Sequence, residues 1–285
     1  MEPKRLRIIS WNVNGRNAWR EQVRALRDRR PDVVALQELK DKDETRTGLK
    51  HELRQIGLGH AVDSFYSTRS RAHLPRYRRY GELIASRWPA VPLPPGEFDV
   101  PWPERVLSVV ITSPWGPIEV HTAHIPCGAS HEWIKIETLK GIFQRLACQP
   151  GRYRVLCGDF NTPQEESPSG QVLTWGQYRK QSSEIALHKG WGKRWDKGER
   201  DILEGLAGHD LADVYRRVHG YKDRRSAFSW CPRGKSHCRR FDHVFASGSL
   251  NAIECRYLHR LRDKGLSDHS AVEAVFKPTA KGLTK

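Results

Sequence analysis

The chain has 285 residues, 38% hydrophobic and 29% charged, and its 49 Lys+Arg against 33 Asp+Glu leave a formal net charge of +16. That length suits one large domain or two small ones, no apolar run approaches the roughly 18 residues of a membrane span, and Met1 to Arg7 lacks the apolar core of a secretory signal. A field of this sign draws polyanions and speeds their encounter, so nucleic acid and a merely solvated, Arg-rich face are the two readings of the charge.

Leu6 to Trp11 reads as a buried strand ending at Asn12. Trp19 to Arg30 places Trp19, Val23 and Leu26 on one helical face before Pro31 stops it. Val33 to Leu36 is a short strand that delivers Glu38 at its C-terminal end. An acid-free stretch follows with Arg69, Arg71, Arg76, Arg78 and Arg79, interleaved by Tyr77 and Tyr80, and then a strand at Leu83 to Ala85. Residues 89 to 103 carry six prolines and read as loop. Leu107 to Thr112 and Ile118 to Ile125 flank Pro114-Trp115-Gly116-Pro117 as a hairpin. Glu132 to Leu146 has helical apolar spacing, with Ser130 as its N-cap.

Arg154 to Cys157 is a strand leading into Gly158-Asp159-Phe160-Asn161. Residues 162 to 205 are polar but carry Trp175, Trp191 and Trp195, so they read as an excursion with one or two helices rather than a linker. A second basic cluster includes Arg225, Arg239 and Arg240, and precedes closing strands at Phe241 to Ala246 and Ser270 to Phe276. Lys277 to Lys285 is expected to fray. The alternation is mixed α/β, without repeat or linker, and one domain over residues 1–285 is expected. The six cysteines form no CxxC pair, which argues against structural zinc and reads as thiols in a reducing cytoplasm.

Four pieces carry chemistry: Ser10-Trp11-Asn12-Val13-Asn14-Gly15, Leu36-Gln37-Glu38-Leu39-Lys40, Gly158-Asp159-Phe160-Asn161 and Ser267-Asp268-His269. Each alone is an ordinary turn or strand end. Asp242 is less ordinary, because an acid inside an aromatic strand needs a partner or a site. Carboxylates, amides and an imidazole converging from distant strand ends are what divalent-metal phosphodiester chemistry requires.

In this order, over roughly residues 6 to 276, the motifs resemble the endonuclease/exonuclease/phosphatase superfamily, which includes exonuclease III-type repair nucleases and deoxyribonuclease I. The resemblance implies a four-layer sandwich of two packed mixed β-sheets flanked by helices, and Mg²⁺- or Mn²⁺-dependent cleavage of phosphoester bonds. It implies Glu38 as the main metal ligand, with Asn14 and Asp268 as further ligands at or just behind the ion, and Asp159 as the residue that positions and helps deprotonate water. Asn12 and Asn161 are then amides that orient the phosphate, and His269, fixed by Asp242, contacts a phosphate oxygen.

Two departures stand out. The exonuclease III class carries Tyr where this chain has His124, a feature similar to deoxyribonuclease I, where histidine can protonate the leaving oxygen. Cys127 replaces a side-chain amide, and Arg239 stands where the repair class tends to have an aromatic. Trp230 and Phe241 are candidates for the walls of an abasic-site pocket, while Lys40 and the Asn-Val-Asn-Gly opening match the repair class. The expected partner is nucleic acid, DNA before RNA, tracked by Lys40, Trp230 and the two Arg clusters. A monomer without obligate protein or membrane partner is expected, nucleoid-associated if bacterial. Hydrolysis of a small or lipid-borne phosphate and an inactive nucleic-acid-binding module are the alternative readings.

Overall fold

The computed structural model describes residues 5–65, 74–94, 96–147, 153–223, 226–232 and 237–277. Among them, β1 (Leu6–Asn12), β2 (Val33–Lys40), β3 (His60–Asp63) and β4 (Tyr80–Ser86) join β15 (Ala252–Leu258) and β16 (Ala271–Phe276) in a six-stranded sheet of order β15-β16-β1-β2-β4-β3. The second sheet has the order β13-β14-β8-β7-β6-β5. It contains β5 (Ala90–Pro92), β6 (Val106–Ser113), β7 (Gly116–His124), β8 (Tyr153–Asp159), β13 (Ala212–Asp213) and β14 (Asp242–Ala246). Both sheets are mixed: β1–β2 and β7–β8 are parallel pairs among antiparallel neighbours.

Strand periodicity explains the layers. Leu6 and Ile8 point between the sheets, packing with Val109, Val120, Val155 and Val244, while Ile9 and Trp11 point outward. The outward face is covered by α1 (Trp19–Arg27) and α2 (Asp43–Gln55) through Val23, Leu26, Leu49 and Leu53. On the other side α3 (Gly128–His131) leads into α4 (Trp133–Leu146), which with α5 (Gly192–Leu203) buries Ile136, Leu139, Ile142 and Ile202 against Leu156 and Phe245. Helix, sheet, sheet and helix therefore form four layers, the expected architecture. Helices α6 (Val214–His219) and α7 (His259–Asp263) complete the described helices longer than a 3-10 turn.

The excursion at 162–205 folds as two small hairpins, β9 (Glu165–Glu166) with β10 (Val172–Leu173) and β11 (Gln177–Arg179) with β12 (Ile185–Leu187), followed by α5. Three expectations change. Ser130 lies inside α3 rather than capping α4, and Glu132, at φ 45°, breaks the chain between the two helices. The first helix stops at Arg27, short of Arg30, which turns into the left-handed region at φ 48°. Cys231 and Cys238 form a disulfide. Trp230 and Arg239 exchange backbone hydrogen bonds of 3.0 and 2.8 Å, which sets the two neighbouring cysteines opposite each other with Cα atoms 4.1 Å apart. Residues 278–285, expected to fray, lie outside the described residues.

Candidate active site

The four motifs meet at one rim of the sandwich because their strands are neighbours. Asn12 ends β1 and pairs with Gln37 of β2, so Glu38 lies one residue beyond it. In the second sheet Asp159 stands opposite both His124 of β7 and Asp242 of β14. The turn holding Asp268 and His269 is tied to β1: Ser267 Oγ donates to the Asn12 carbonyl at 2.6 Å and Trp11 Nε1 donates to the His269 carbonyl at 3.0 Å.

Backbone conformation aims the side chains. Asn14, Glu38 and Asn161 have φ values of 53°, 60° and 51°, a region that side chains with a Cβ seldom adopt. At Glu38 the β2–β4 register shifts between Leu36 and Leu39, and the irregularity turns the carboxylate toward Asn12 instead of along the pleat. Gly158 has φ 139°, and a Cβ there would lie 1.9 Å from the Ala123 carbonyl oxygen, so only glycine allows β7 this close beside Asp159.

Asn12 sits at the centre and is fully buried. Its Nδ2 donates to Glu38 Oε1 at 2.9 Å and to Asp159 Oδ2 at 3.0 Å, while its Oδ1 accepts from the Asn14 N–H at 2.8 Å. One amide thus bridges two carboxylates from two sheets. Asp159 Oδ1 accepts from the Asn161 N–H at 2.9 Å, and Asn161 Nδ2 donates to the Ile125 carbonyl at 2.9 Å.

Two imidazoles flank this pair. His269 Nδ1 lies 2.7 Å from Asp242 Oδ2, and its Nε2 lies 3.7 Å from Asp159 Oδ2. Burial opposes charge on His269, but the carboxylates of Asp242 and Asp159 outweigh it and push the ring up to about 10. It is an imidazolium at neutral pH. His124 presents Nε2 to Glu38 Oε1 at 3.5 Å and to Asp159 Oδ2 at 3.9 Å. Burial and the guanidinium of Arg105, which hydrogen-bonds Nδ1, hold His124 well below the usual histidine range. Burial, with Asp242 and Glu38 adding to it against His269, pushes Asp159 up to about 7. That value suits a group that takes and returns a proton near neutrality.

The donors fit a hard divalent cation. The oxygens come from the carboxylates of Glu38, Asp159 and Asp242; His124 and His269 lie within 4.8 Å of them in two overlapping groups, as hydrogen-bond donors rather than ligands. Oxygens Oδ1 of Asp242 and Oδ1 of Asp268 are buried without a hydrogen-bond partner among the described residues. Unpartnered carboxylate oxygens are costly unless a cation or water meets them, and hard oxygen donors suit Mg²⁺ or Mn²⁺. Asp268 also favours the charged form of His269, which places its field at the same cluster.

The nucleic-acid residues expected from sequence divide. Arg239 and Trp230 line a cavity that opens beside His269 and Asn161. Lys40 reaches Asn17 Oδ1 at 3.4 Å on the exposed rim. Arg79 is exposed and donates to the Leu74 carbonyl. Arg78 is committed inward, in a two-point pair with Glu104 at 2.7 and 3.0 Å. Arg240 is a correction. It is 4% exposed and spends its guanidinium on Glu166 and Asp213 at 2.7 Å each, so it is a core cation and not a backbone contact. A run of basic residues in sequence carried no sign of this, because the partners come from β9 and β13. Arg69, Arg71 and Arg225 lie outside the described residues, and Arg76 is described by its backbone alone.

Sequence reasoning missed Arg105, Lys135 and Glu199. The first holds His124, and the other two support the Asn161 turn, Lys135 donating to the Asn161 carbonyl at 2.9 Å while paired with Glu199. Arg105 follows a proline-rich loop and Lys135 sits in a helix, where a cation normally faces water, so neither had a signal.

Residues 9–269 match the family described as the Endonuclease/Exonuclease/phosphatase family. Among solved structures, an AP endonuclease from Archaeoglobus fulgidus aligns with a TM-score of 0.68 and 22% identity over 95% of this chain and 99% of that one. The 3′ phosphatase NExo from Neisseria, bound to product DNA hairpin, gives 0.64 and 20% over 95% and 99%. D. rerio TDP2 complexed with single-strand DNA product gives 0.62 and 18% over 96% and 99%. No curated protein sequence matches significantly. Joined to the site geometry, the match over nearly the whole length shows that this chain belongs to the endonuclease/exonuclease/phosphatase family of phosphoester-hydrolysing enzymes.

Proposed function

We propose that the protein is a divalent-metal-dependent phosphodiesterase that cuts DNA. The observation that carries this reading is the bridge of Asn12 between Glu38 and Asp159, flanked by the imidazoles of His124 and His269. A phosphodiester needs a base for the attacking water, positive charge on its non-bridging oxygens and a donor for the leaving oxygen.

The residues divide into those roles. Glu38, Asn14 and Asp268 would hold the cation, Mg²⁺ or Mn²⁺, which when bound neutralises phosphate charge. Asp159 takes the proton of the water that attacks phosphorus. Asn161, oriented by its bond to Ile125, and Asn12 direct amide donors at the phosphate and at the two carboxylates. His269, kept charged by Asp242, donates to a non-bridging oxygen, and neutral His124 donates an Nε2–H hydrogen bond to the leaving oxygen, which takes its proton from water.

DNA is favoured by the net charge of +16 and by relatives whose structures contain DNA product. Half-buried Lys40 and exposed Arg79, with Arg239 at the cavity, would meet its phosphates. Affinity should then fall steeply with salt. The chain acts as one unit over its length, as a monomer. The test is a panel of plasmid, abasic duplex, nicked duplex, single strand, RNA and inositol phosphates, with Mg²⁺ and with chelator, against a Glu38→Ala control. Cutting of DNA that needs metal and Glu38 supports the reading; turnover of inositol phosphates alone would replace it.

A further inference from the structure

Beside the catalytic cluster opens a cavity of about 740 Å³ whose lining includes His269 and Asn161. Its walls are aromatic. Trp230 stacks on Phe241 with ring centroids 5.6 Å apart, and Trp191 lies on His188 at 4.5 Å with the planes 9° from parallel. Trp133 and Trp195 pack at 5.5 Å, and Arg239 holds its guanidinium 5.1 Å from the Trp175 ring centre. The Nε atom of Arg239 is buried without a hydrogen-bond partner among the described residues. Trp175, His188, Trp191 and Trp195 all come from the excursion at 162–205, outside the two main sheets.

Hydrogen bonds fasten this cavity to the site. The Asn161 carbonyl accepts from Trp175 Nε1 at 3.0 Å and from Lys135 at 2.9 Å. Buried Glu199 accepts from the Trp175 N–H at 2.8 Å and from Trp195 Nε1 at 2.9 Å. The aromatic walls and the residue aimed at the phosphate therefore share one polar framework. Whatever enters the cavity is attached next to the bond being cut.

We propose that the cavity receives an unpaired nucleobase carried by the nucleotide at the scissile phosphate. The proposal rests on the phosphodiesterase reading above and names its substrate: base-bearing nucleotides at frayed ends or in single strands, rather than base-less sites. Indole faces offer stacking surface that any base can use, and the guanidinium of Arg239, which lines the cavity, offers N–H donors that suit the ring nitrogens and carbonyls of a base. A volume of this size holds a whole nucleoside, whereas a bare deoxyribose would leave most of the aromatic wall in contact with water. The cost of extracting a base is least where it is already unpaired.

Two measurements test this. Intrinsic tryptophan emission is titrated with dAMP and with 2-deoxyribose 5-phosphate in the presence of chelator. Saturable quenching by dAMP, with little by the sugar phosphate, is expected. Trp191→Ala, at a ring 39% exposed and so removable without unfolding the domain, should weaken dAMP by at least about fivefold, and Trp191→Phe should restore it. In steady-state cleavage of single strands, Trp191→Ala should lower kcat/KM more for a base than for an abasic analogue at the cut position. Equal quenching by the sugar phosphate, unchanged dAMP affinity in Trp191→Ala, or equal losses on both substrates would overturn the proposal. Metal-dependent cutting without base-selective binding sinks the pocket alone. Base-selective binding without cutting sinks the phosphodiesterase reading and leaves the pocket standing.

Discussion

Arg105 donates a hydrogen bond to Nδ1 of His124. A guanidinium can only donate, so Nδ1 must be the acceptor and the ring proton resides on Nε2, facing Glu38 and Asp159. Arg105 is itself buried, and its second Nη donates to the Tyr77 carbonyl at 2.5 Å. The tautomer of a histidine in the site is thus set by a residue from the far side of β7.

Replacing Arg105 by Met should release that constraint. We expect kcat to fall by about two orders of magnitude, the lower end of the loss associated with removing a hydrogen-bond donor to a developing oxyanion, with a smaller change in KM. Nitrogen chemical shifts of His124 should move from one tautomer to a mixture. An unchanged kcat together with an unchanged tautomer would refute the assignment.

His269 and Asp242 form a pair at 2.7 Å, with Asp242 fully buried. Asp242→Asn and His269→Ala should each cost activity, and the double variant should be little worse than the single variants, as for residues that act as one unit. Losses that add in the double variant would contradict the pair.

Glu38 is partly exposed and reaches the cluster through its left-handed turn. Glu38→Gln keeps the shape but removes the charge a cation needs. The Mg²⁺ or Mn²⁺ concentration for half-activation should rise at least tenfold, and calorimetric titration of the metal alone should show weaker binding. Retained metal affinity would remove Glu38 from the ligand set.

The Glu166–Arg240–Asp213 network gives a pH prediction away from the site. Burial alone would raise Glu166, but Arg240 and then Arg216 outweigh it and hold the carboxyl down to about 2. A depressed carboxylate contributes stability above its unfolded value and loses it as pH falls toward the folded one. The contribution is therefore complete above 4.5 and disappears down to about 2. Breaking a buried pair on one side costs roughly 3–5 kcal/mol, so Glu166→Gln should lower the urea midpoint strongly at neutral pH. The gap to the parent chain should narrow between those two pH values; a gap independent of pH would show that packing, not charge, is lost.

Much of the site was written in the chain because strand ends are local. Asn12, Glu38 and Asp159 each follow a short apolar run and His269 precedes one, and a run of that kind begins or ends where its sheet does, at the rim. The acid within Phe241-Asp242-His243-Val244-Phe245 announced a buried partner, which is His269. The four layers were what the family resemblance implied, and alternating faces carry them, since Ile8 and Ile9 enter different cores.

What only the tertiary structure decided depends on groups far apart in sequence. Whether a cation meets solvent or an acid is fixed by what folds against it, and so Arg240 became a core residue while Arg239, its neighbour, lines the cavity. The Cys231–Cys238 link required a backbone bridge between Trp230 and Arg239 to set its spacing. Three tryptophans without periodicity gave no pattern to read, because they serve a wall curved around a space and not the face of a helix or strand. Periodicity records burial within one element; a pocket is made between elements, and its chemistry appears when they meet.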